Sequence, residues 1–402
     1  MKFIQIGEPG GAEPGEAPPL FSRIALFRLG FRPFYLGAAL FALIAVPLWL
    51  AAYGGHLGWL PAVNLLWHMH EMVFGFAAAV VIGFLFTAAR NWTGLWTPRG
   101  GKLAAMAGLW LAGRIGMLTP WPLLAAALDL LFIPVAMLPL YDVMRRSGKR
   151  SNLPLLALPG LLFAANLCFH ANVLGWIAWP ATRAVEAAIL VLALLSTVMG
   201  GRVIPGFTAN MAPGSAPKTS ALADKANIVL ALAAGVSWTA GLPAWLTAVL
   251  AAASGALQLA RVACWSPQRT LGYPLLWVLH LAYAWIAAGF LLLASAALGV
   301  GSVSSAMHAI AVGGMSGLML GMMTRTAIGH TGHPMRAERR EGLIFLSMLC
   351  AVVARLLANV GPAEARHALL CLAGVAWALA FAVYLAGFAP LLCKPRADGR
   401  EG

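Results

Sequence analysis

Residues 64–86 read NLLWHMHEMVFGFAAAVVIGFLF, and this stretch decides the fold. Beyond His68, His70 and Glu71 it is an apolar run of the length that crosses a bilayer, about 20 residues. Similar runs recur along the chain, which is 61% hydrophobic and 10% charged, whereas a soluble domain carries about 25% charged residues. The alternation typical of a membrane β-barrel is missing. The sequence therefore predicts an all-α, polytopic membrane helix bundle.

Twelve apolar runs predict about twelve transmembrane helices. The predicted spans are 31–52, 64–89, 101–119, 122–143, 153–174, 183–204, 224–241, 243–263, 273–297, 303–325, 341–359 and 366–391. Residues 1–22, which are rich in Gly and Pro, are expected to form a disordered cytoplasmic leader. Residues 23–394 are expected to form a single membrane domain, and residues 395–402 a cytoplasmic tail.

The distribution of basic residues predicts the orientation. Arg114, Arg183, Arg355 and Arg366 fall on one side, and the remaining 23 of the 27 Lys and Arg residues fall on the side of the N-terminus. Cytoplasmic loops carry such an excess, so we expect both termini in the cytoplasm and the protein in a bacterial inner membrane. The same distribution explains the net charge of +14 without nucleic-acid binding. The five cysteines form no CxxC pair and are interpreted as core thiols.

Polar residues inside the predicted spans are the functional candidates. Each residue of a helix adds 1.5 Å of depth, and on this scale eight polar side chains lie in the outer part of the membrane. They are His68, His70, Glu71, Arg114, Asp129, His170, Glu186 and His308. His280 lies deeper, about two turns from the cytoplasmic side. Ionisable residues at such depth usually serve function, although hydrogen bonds between helices, or an Arg114–Asp129 ion pair, would also explain them.

Buried imidazoles point to a metal. Histidine is the commonest metal ligand, and carboxylates orient such ligands from a second shell; Glu71, Arg114, Asp129 and Glu186 are candidates for that role or for a proton relay. One or two imidazoles in an apolar site suit haem b. Histidine with the methionines near span ten would suit copper(I). His68 and His70 point about 200° apart on a helix, so we do not expect them to share one metal.

The glycines of span ten and the basic residues at the cytoplasmic ends of spans can each be interpreted in more than one way. Gly313, Gly317 and Gly321 allow a close approach by another helix or by a flat macrocycle, and helix packing is favoured. Arg202, Arg325 and His330, at cytoplasmic ends, would bind a haem propionate or anionic lipid, or be solvated. No internal repeat is evident.

Several motifs resemble those of the NnrS family. They are FRLGFRPFYLGAALFALIAVPLW, WHMHEMVFGFAAAVVIGFLFTAARNWTG, LAGRIGM, RVIPGFT, LLWVLHLAYAW and LGMMTRTAIGHTGHP. The resemblance implies a haem- and copper-containing membrane protein with twelve spans, linked to nitric oxide metabolism and nitrosative stress. The family's histidine motifs fall on His68, His70, His170, His280, His308 and His330. The family often has Pro or Val at Ala89 and GHTGR around Gly332, and neither departure touches a candidate ligand.

The resemblance and the residues together predict a haem-b membrane protein that binds or turns over nitric oxide. We expect an outer site drawn from His68, His70, His170 and His308, and a second, deeper site at His280, offset by about 10–15 Å. Whether the protein is an enzyme, and what its electron donor is, stay open. The alternatives are a non-catalytic haem sensor and a secondary transporter. Carboxylates and broken helices within the membrane favour the transporter, and the lack of an evident internal repeat argues against it.

Overall fold

The structure, a computed structural model, describes residues 20–148 and 150–400, and every regular element in that part of the chain is helical. The predicted leader lies almost wholly outside the described residues. Twelve long helices follow one another: α1 (Phe31–Tyr53), α2 (Leu65–Thr93), α3 (Gly100–Gly116), α4 (Pro122–Arg146), α5 (Ala157–Val173), α6 (Ala181–Met211), α7 (Ala221–Thr239), α8 (Ala244–Cys264), α9 (Pro274–Ala297), α10 (Val303–His330), α11 (Arg339–Val360) and α12 (Ala363–Cys393). Short helical turns precede α1, α5 and α9, at Leu20–Arg23, Ala25–Phe27, Arg150–Leu156 and Pro267–Thr270.

The helices confirm the prediction of an all-α, multi-pass membrane protein. Eleven of them are long and apolar enough to cross a bilayer. Helix α5 reaches that length together with the turn before it, as the segment Asn152–Val173. The exception is α3, which has 17 residues, so its crossing and the N-in, C-in orientation stay predictions.

Local sequence sets where several helices begin. The Asn64 side chain accepts a hydrogen bond from the Trp67 amide at 3.1 Å, and Ser302 caps α10 in the same way. Pro122 and Pro274 stand in the first turns of α4 and α9, where the missing amide proton has no helical partner to lose.

Two helices contain a π-helical segment directly after a histidine. A π-helical segment, Glu71–Ala77, follows His70 in α2, and another, Ala309–Ser316, follows His308 in α10. Such bulges occur frequently at functional sites, because they rotate the side chains on either side out of the regular α-helical register.

The two π segments belong to an internal repeat that our reading of the sequence missed. His70, Gly75, Gly83, Thr93 and Gly94 recur at the same spacing as His308, Gly313, Gly321, Thr331 and Gly332. The ends of α2 and α10 also match in conformation. The Thr93 and Thr331 hydroxyls donate to carbonyls one turn back, at 2.7 and 2.6 Å, and Gly94 and Gly332 both have positive φ, 76° and 82°. For description, we divide the twelve helices into three consecutive groups of four, which we call units: α1–α4, α5–α8 and α9–α12.

The helices close into a ring. The last helix of each unit lies against the first helix of the next, and α12 closes the ring on α1. At that closure the Trp377 indole N–H donates to the Ala42 carbonyl at 2.9 Å. The second helices of the units lie inside the ring, where α6 contacts both α2 and α10. Side chains from neighbouring units therefore meet at the unit boundaries.

The glycine ladder of α10 serves helix packing, the favoured reading. A Cβ at Gly313 would lie 2.6 Å from the Trp285 ring, and one at Gly317 would lie 2.8 Å from Ala282. Both contacts come from α9, so no macrocycle occupies this face.

The cysteine interpretation was wrong. All five thiols are free, but Cys264, Cys350, Cys371 and Cys393 are exposed on the outside of the bundle, and Cys168 is half-buried. Lipid is as apolar as the bundle interior, so an apolar neighbourhood in sequence did not distinguish the two surroundings.

Candidate functional site

Five ionisable side chains form one buried group at the boundary between the first and second units, which we call the outer cluster. Its members are His70, Glu71, Arg114, Asp129 and His170. The Arg114 guanidinium joins the two acids: it donates to Glu71 Oε1 at 2.5 Å and makes a close ion pair with Asp129. His70 Nε2 and His170 Nε2 lie 3.2 and 3.0 Å from the same oxygen, Asp129 Oδ2. Four helices, α2 to α5, thus bring their polar residues to one point.

Glycine makes room for this group. A Cβ on Gly75 would lie 2.7 Å from the Arg114 guanidinium and 3.0 Å from Glu71 Oε2. A Cβ on Gly113 would lie 3.2 Å from the Asp129 backbone. The helices approach closely enough to bury the guanidinium between two carboxylates because neither position carries a side chain.

The hydrogen bonds of His70 leave the outer cluster short of one cation. His70 Nδ1 lies 2.9 Å from Glu71 Oε1, so its proton donates there. In a neutral ring Nε2 then carries a lone pair, yet it faces the oxygens of Asn166, at 3.0 Å, and Asp129. Lone pairs that face each other repel unless a proton or a metal ion lies between them.

The charge count gives the same result. Two carboxylates and one guanidinium leave the outer cluster with one negative charge in excess when both imidazoles are neutral. Glu71 Oε2 is in addition buried without a hydrogen-bond partner. An unpaired buried charge costs several kcal/mol, so the cluster is built to hold a cation.

Three atoms of the cluster have the arrangement of metal ligands. His70, Asp129 and His170 are all buried, and their donor atoms lie within 4.8 Å of one another. Ligands about 2.0–2.1 Å from a tetrahedral ion stand about 3.3 Å apart, close to the separations from Asp129 Oδ2. Two imidazoles and a carboxylate suit zinc or copper(II) better than copper(I), which prefers sulfur.

Asn166, which the sequence reading did not select, completes the surroundings. Its amide donates to Asp129 Oδ2 at 2.7 Å, and its oxygen faces His70. It lies one helical turn before His170, and that spacing on one face was the available sequence signal.

A second group lies at the boundary between the third and first units, which we call the paired-histidine site. It consists of His308 and Arg355, which both hydrogen-bond to Ser304, and of His68, which lies within electrostatic range of both. His308 Nδ1 lies 2.7 Å from the Ser304 carbonyl, so its proton donates there and Nε2 keeps a lone pair for a ligand. His68 stacks on Trp49, with ring centroids 5.0 Å apart, and its Nδ1 is buried without a partner.

Arg355 gives this second site an excess positive charge. Its guanidinium donates to Ser304 Oγ at 2.9 Å and to Asn359 Oδ1 at 2.8 Å, and both acceptors are neutral. No carboxylate in the described part of the chain pairs with it. Arg355 entered the sequence prediction only through the membrane orientation.

The other predicted residues lie elsewhere. Glu186 accepts from the Trp238 indole at 2.8 Å and from Arg183 at 3.3 Å, in the second unit. His280 donates from Nδ1 to the Leu276 carbonyl at 3.1 Å, and its Nε2 lies 3.3 Å from the Thr208 hydroxyl. The eight polar residues that we predicted at one depth therefore lie in three separate groups: the outer cluster, the paired-histidine site and the surroundings of Glu186.

The three cytoplasmic-end candidates do not form one site. Arg325 is buried against Met211 Sδ, at 3.2 Å, and the Phe207 ring. Arg202 is exposed and bonds Asn152. His330 is half-buried, with its ring 5.8 Å from that of Phe31.

Comparison with known proteins identifies the family. The family model described as NnrS protein matches residues 25–396, which include all twelve helices and every residue of both sites. No curated protein matches the chain. The match extends over far more than half of the sequence, and the chain therefore belongs to the NnrS family.

Proposed function

We propose that this protein binds haem b at the paired-histidine site and that the haem binds or turns over nitric oxide, as a defence against nitrosative stress in the inner membrane. One observation carries the proposal: Arg355, which pairs with no carboxylate among the described residues, shares Ser304 with His308, and His68 lies within electrostatic range of both. An iron porphyrin supplies what this site lacks, because its iron takes imidazole lone pairs and its propionates are anionic.

The residues present fit the group. His308 is held in the tautomer that leaves Nε2 free, by the hydrogen bond from Nδ1 to Ser304. His308 and His68 would hold the iron, and Arg355 would bind a propionate. When bound, ferrous haem supplies a metal that binds nitric oxide. The apolar helices around the site exclude water, and a neutral gas reaches it through the lipid without a polar channel.

The outer cluster would hold a second metal. His70, Asp129 and His170 provide the ligands, and Glu71, Arg114 and Asn166 fix their orientation through the hydrogen bonds described above. The family resemblance makes copper the expected metal, and the nitrogen and oxygen donors favour copper(II).

An absorption spectrum and a metal analysis of the purified protein test both assignments. We expect a strong Soret band that His68→Ala and His308→Ala each abolish or shift, and that the control His367→Ala, at an exposed position on α12, leaves unchanged. His170→Ala should lose the second metal and keep the Soret band. A full, unshifted band in both His68→Ala and His308→Ala would disprove the haem site, and a colourless wild-type protein would leave a transporter as the better reading.

A further inference from the structure

α8 buries a polar face that neither metal site uses. Thr247, Ser254, Gln258 and Arg261 follow one another at intervals of seven, four and three residues, which places them on one side of the helix. All four are buried inside the bundle. Polar side chains within membrane helices are costly and commonly mark a pathway for an ion or a proton.

The polar face continues to the surface on the side of the N-terminus, the predicted cytoplasmic side. Asp224, at the start of α7, is 37% exposed, and it accepts from Arg261 Nη2 at 2.8 Å and Nε at 3.0 Å. Arg261 Nη1 makes a close hydrogen bond to the Tyr283 hydroxyl on α9. The two opposite charges cancel, so the entrance carries no net charge.

From Tyr283 the row of polar groups proceeds towards the middle of the bundle. Asn227 Nδ2 donates to the Tyr283 hydroxyl at 3.3 Å, and Thr197 on α6 also lies against that hydroxyl. The Thr197 hydroxyl lies 3.5 Å from Gln258 Oε1, and the Gln258 amide donates to Ser254 Oγ at 3.1 Å. Ser254 stands at the middle of α8, so the row reaches about half-way through the membrane.

The row ends at Ser254. The next residue outward on the same face is Ala251, and the Thr247 hydroxyl beyond it pairs with Ser237 at 2.6 Å instead. Within the row, Asn227 Oδ1 is buried without a hydrogen-bond partner. An unmet acceptor among several polar groups is the setting in which buried water is found.

We propose that Asp224, Arg261, Tyr283, Asn227, Gln258 and Ser254 line a hydrated half-channel that carries protons from the cytoplasmic side to the middle of the membrane. Its use, to deliver a charge-compensating proton when an external one-electron donor reduces the haem iron, rests on the function proposed above. If these hydrogen bonds served only to join helices, isolated pairs such as Ser237 with Thr247 would be sufficient. A continuous row from an exposed carboxylate to the membrane centre, with an acceptor left open for water, is what proton transfer requires.

Accessibility to silver ions tests the hydrated path without any need for haem. In a background with the five native cysteines replaced by serine, Ser254→Cys and Gln258→Cys are treated with Ag⁺ from the N-terminal side of sealed vesicles and then alkylated in denaturant. We expect Ag⁺ to protect both cysteines from alkylation. Ala251→Cys, one turn beyond the end of the row, is the matched control and should stay unprotected. Absence of protection at both 254 and 258, or equal protection at 251, would overturn the proposal.

Proton uptake on reduction of the haem tests what the path carries. A pH dye on the N-terminal side of reconstituted vesicles reports the rate. Gln258→Leu, which replaces the amide with an apolar side chain of similar size, should slow uptake at least tenfold with an unchanged Soret band and unchanged thermal stability. The double variant Ser237→Ala/Thr247→Val removes a buried hydroxyl pair outside the row and should leave the rate unchanged.

The outcomes separate the two proposals. Equal uptake rates in wild type and Gln258→Leu, or no uptake in wild type, would overturn proton conduction while the haem assignment stands. A colourless protein would defeat the haem site, and silver protection alone would then decide whether the half-channel exists.

Discussion

The outer cluster and the paired-histidine site have opposite electrostatic deficits. The first holds two carboxylates around one guanidinium and is short of a positive charge. The second holds the guanidinium of Arg355 with neutral partners and is short of a negative charge. Arg114 and Arg355 lie on the third helices of the first and third units, so the same residue type serves two different purposes.

The ligands proposed above would correct both deficits. A metal cation would complete the buried group with an excess negative charge, and an anionic ligand whose metal binds nitrogen would complete the group with an excess positive charge beside two imidazoles. Each site contains an arginine from the third helix of a unit, and the residues that the neighbouring unit contributes differ. At the outer cluster the neighbour brings His170 and Asn166; at the paired-histidine site it brings Trp49 and His68.

The largest expected effect separates the two arginines. Arg114→Leu leaves two buried carboxylates without their cation, and we expect it to cost about 3–5 kcal/mol of stability. Arg355→Leu removes a buried charge that has no carboxylate partner, so the haem-free protein should keep its stability or gain slightly. Thermal unfolding of both haem-free variants in one detergent measures the contrast. Equal losses would mean that Arg355 has an acidic partner in solution and that the two sites do not differ in charge.

Exchange of ligands should affect one site at a time. Asp129→Asn should lower the affinity of the second metal by more than about 100-fold, because even residues that only orient a ligand contribute about 10–100-fold. His308→Ala should leave that affinity unchanged and abolish the Soret band. Competition with a chelator, read together with the absorption spectrum, gives both values. Loss of both metals in either variant would show that they share one site.

Arg355→Gln keeps a hydrogen-bonding side chain and removes only the charge. A charge-assisted hydrogen bond contributes about 1.5–3 kcal/mol, so we expect haem to bind at least about tenfold more weakly. Titration of haem into the haem-free variant measures the affinity, and Arg339→Gln, at an exposed position on the same helix, is the matched control. Unchanged affinity in Arg355→Gln would place the propionates elsewhere.

The smallest effect concerns the ring against His68. Trp49→Leu removes an aromatic pair worth about 0.5–1.5 kcal/mol and should loosen His68 without releasing the haem. We expect a small shift of the absorption maximum and a two- to tenfold lower haem affinity in Trp49→Leu. Trp49→Phe, which keeps an aromatic ring, should retain most of the wild-type affinity. An effect as large as that of His68→Ala would mean that Trp49 shapes the whole pocket.

The sequence predicted most of the individual site residues, but it did not predict which of them lie together. Histidines and acids within apolar runs identify themselves, because polar side chains are rare there. His68 and His70 were expected to face different ways, and the structure places them in different groups. The sequence reading joined His308 to His70 and His170 because depth was the only coordinate available, and depth carries no information about which helices are neighbours. Arg355 and Asn166 were missed for the same reason.

By itself the sequence determined the class of the protein and the number and approximate position of its helices, whereas the depth of each polar residue in the membrane stays a prediction. Those properties follow from local composition and from a fixed rise per residue. Only the tertiary structure decided which polar residues meet, since that depends on the rotation of each helix and on the order in which the four-helix units close their ring. His170 completes the outer cluster because α5 packs on α4, and His68 reaches Arg355 because α12 returns to α1.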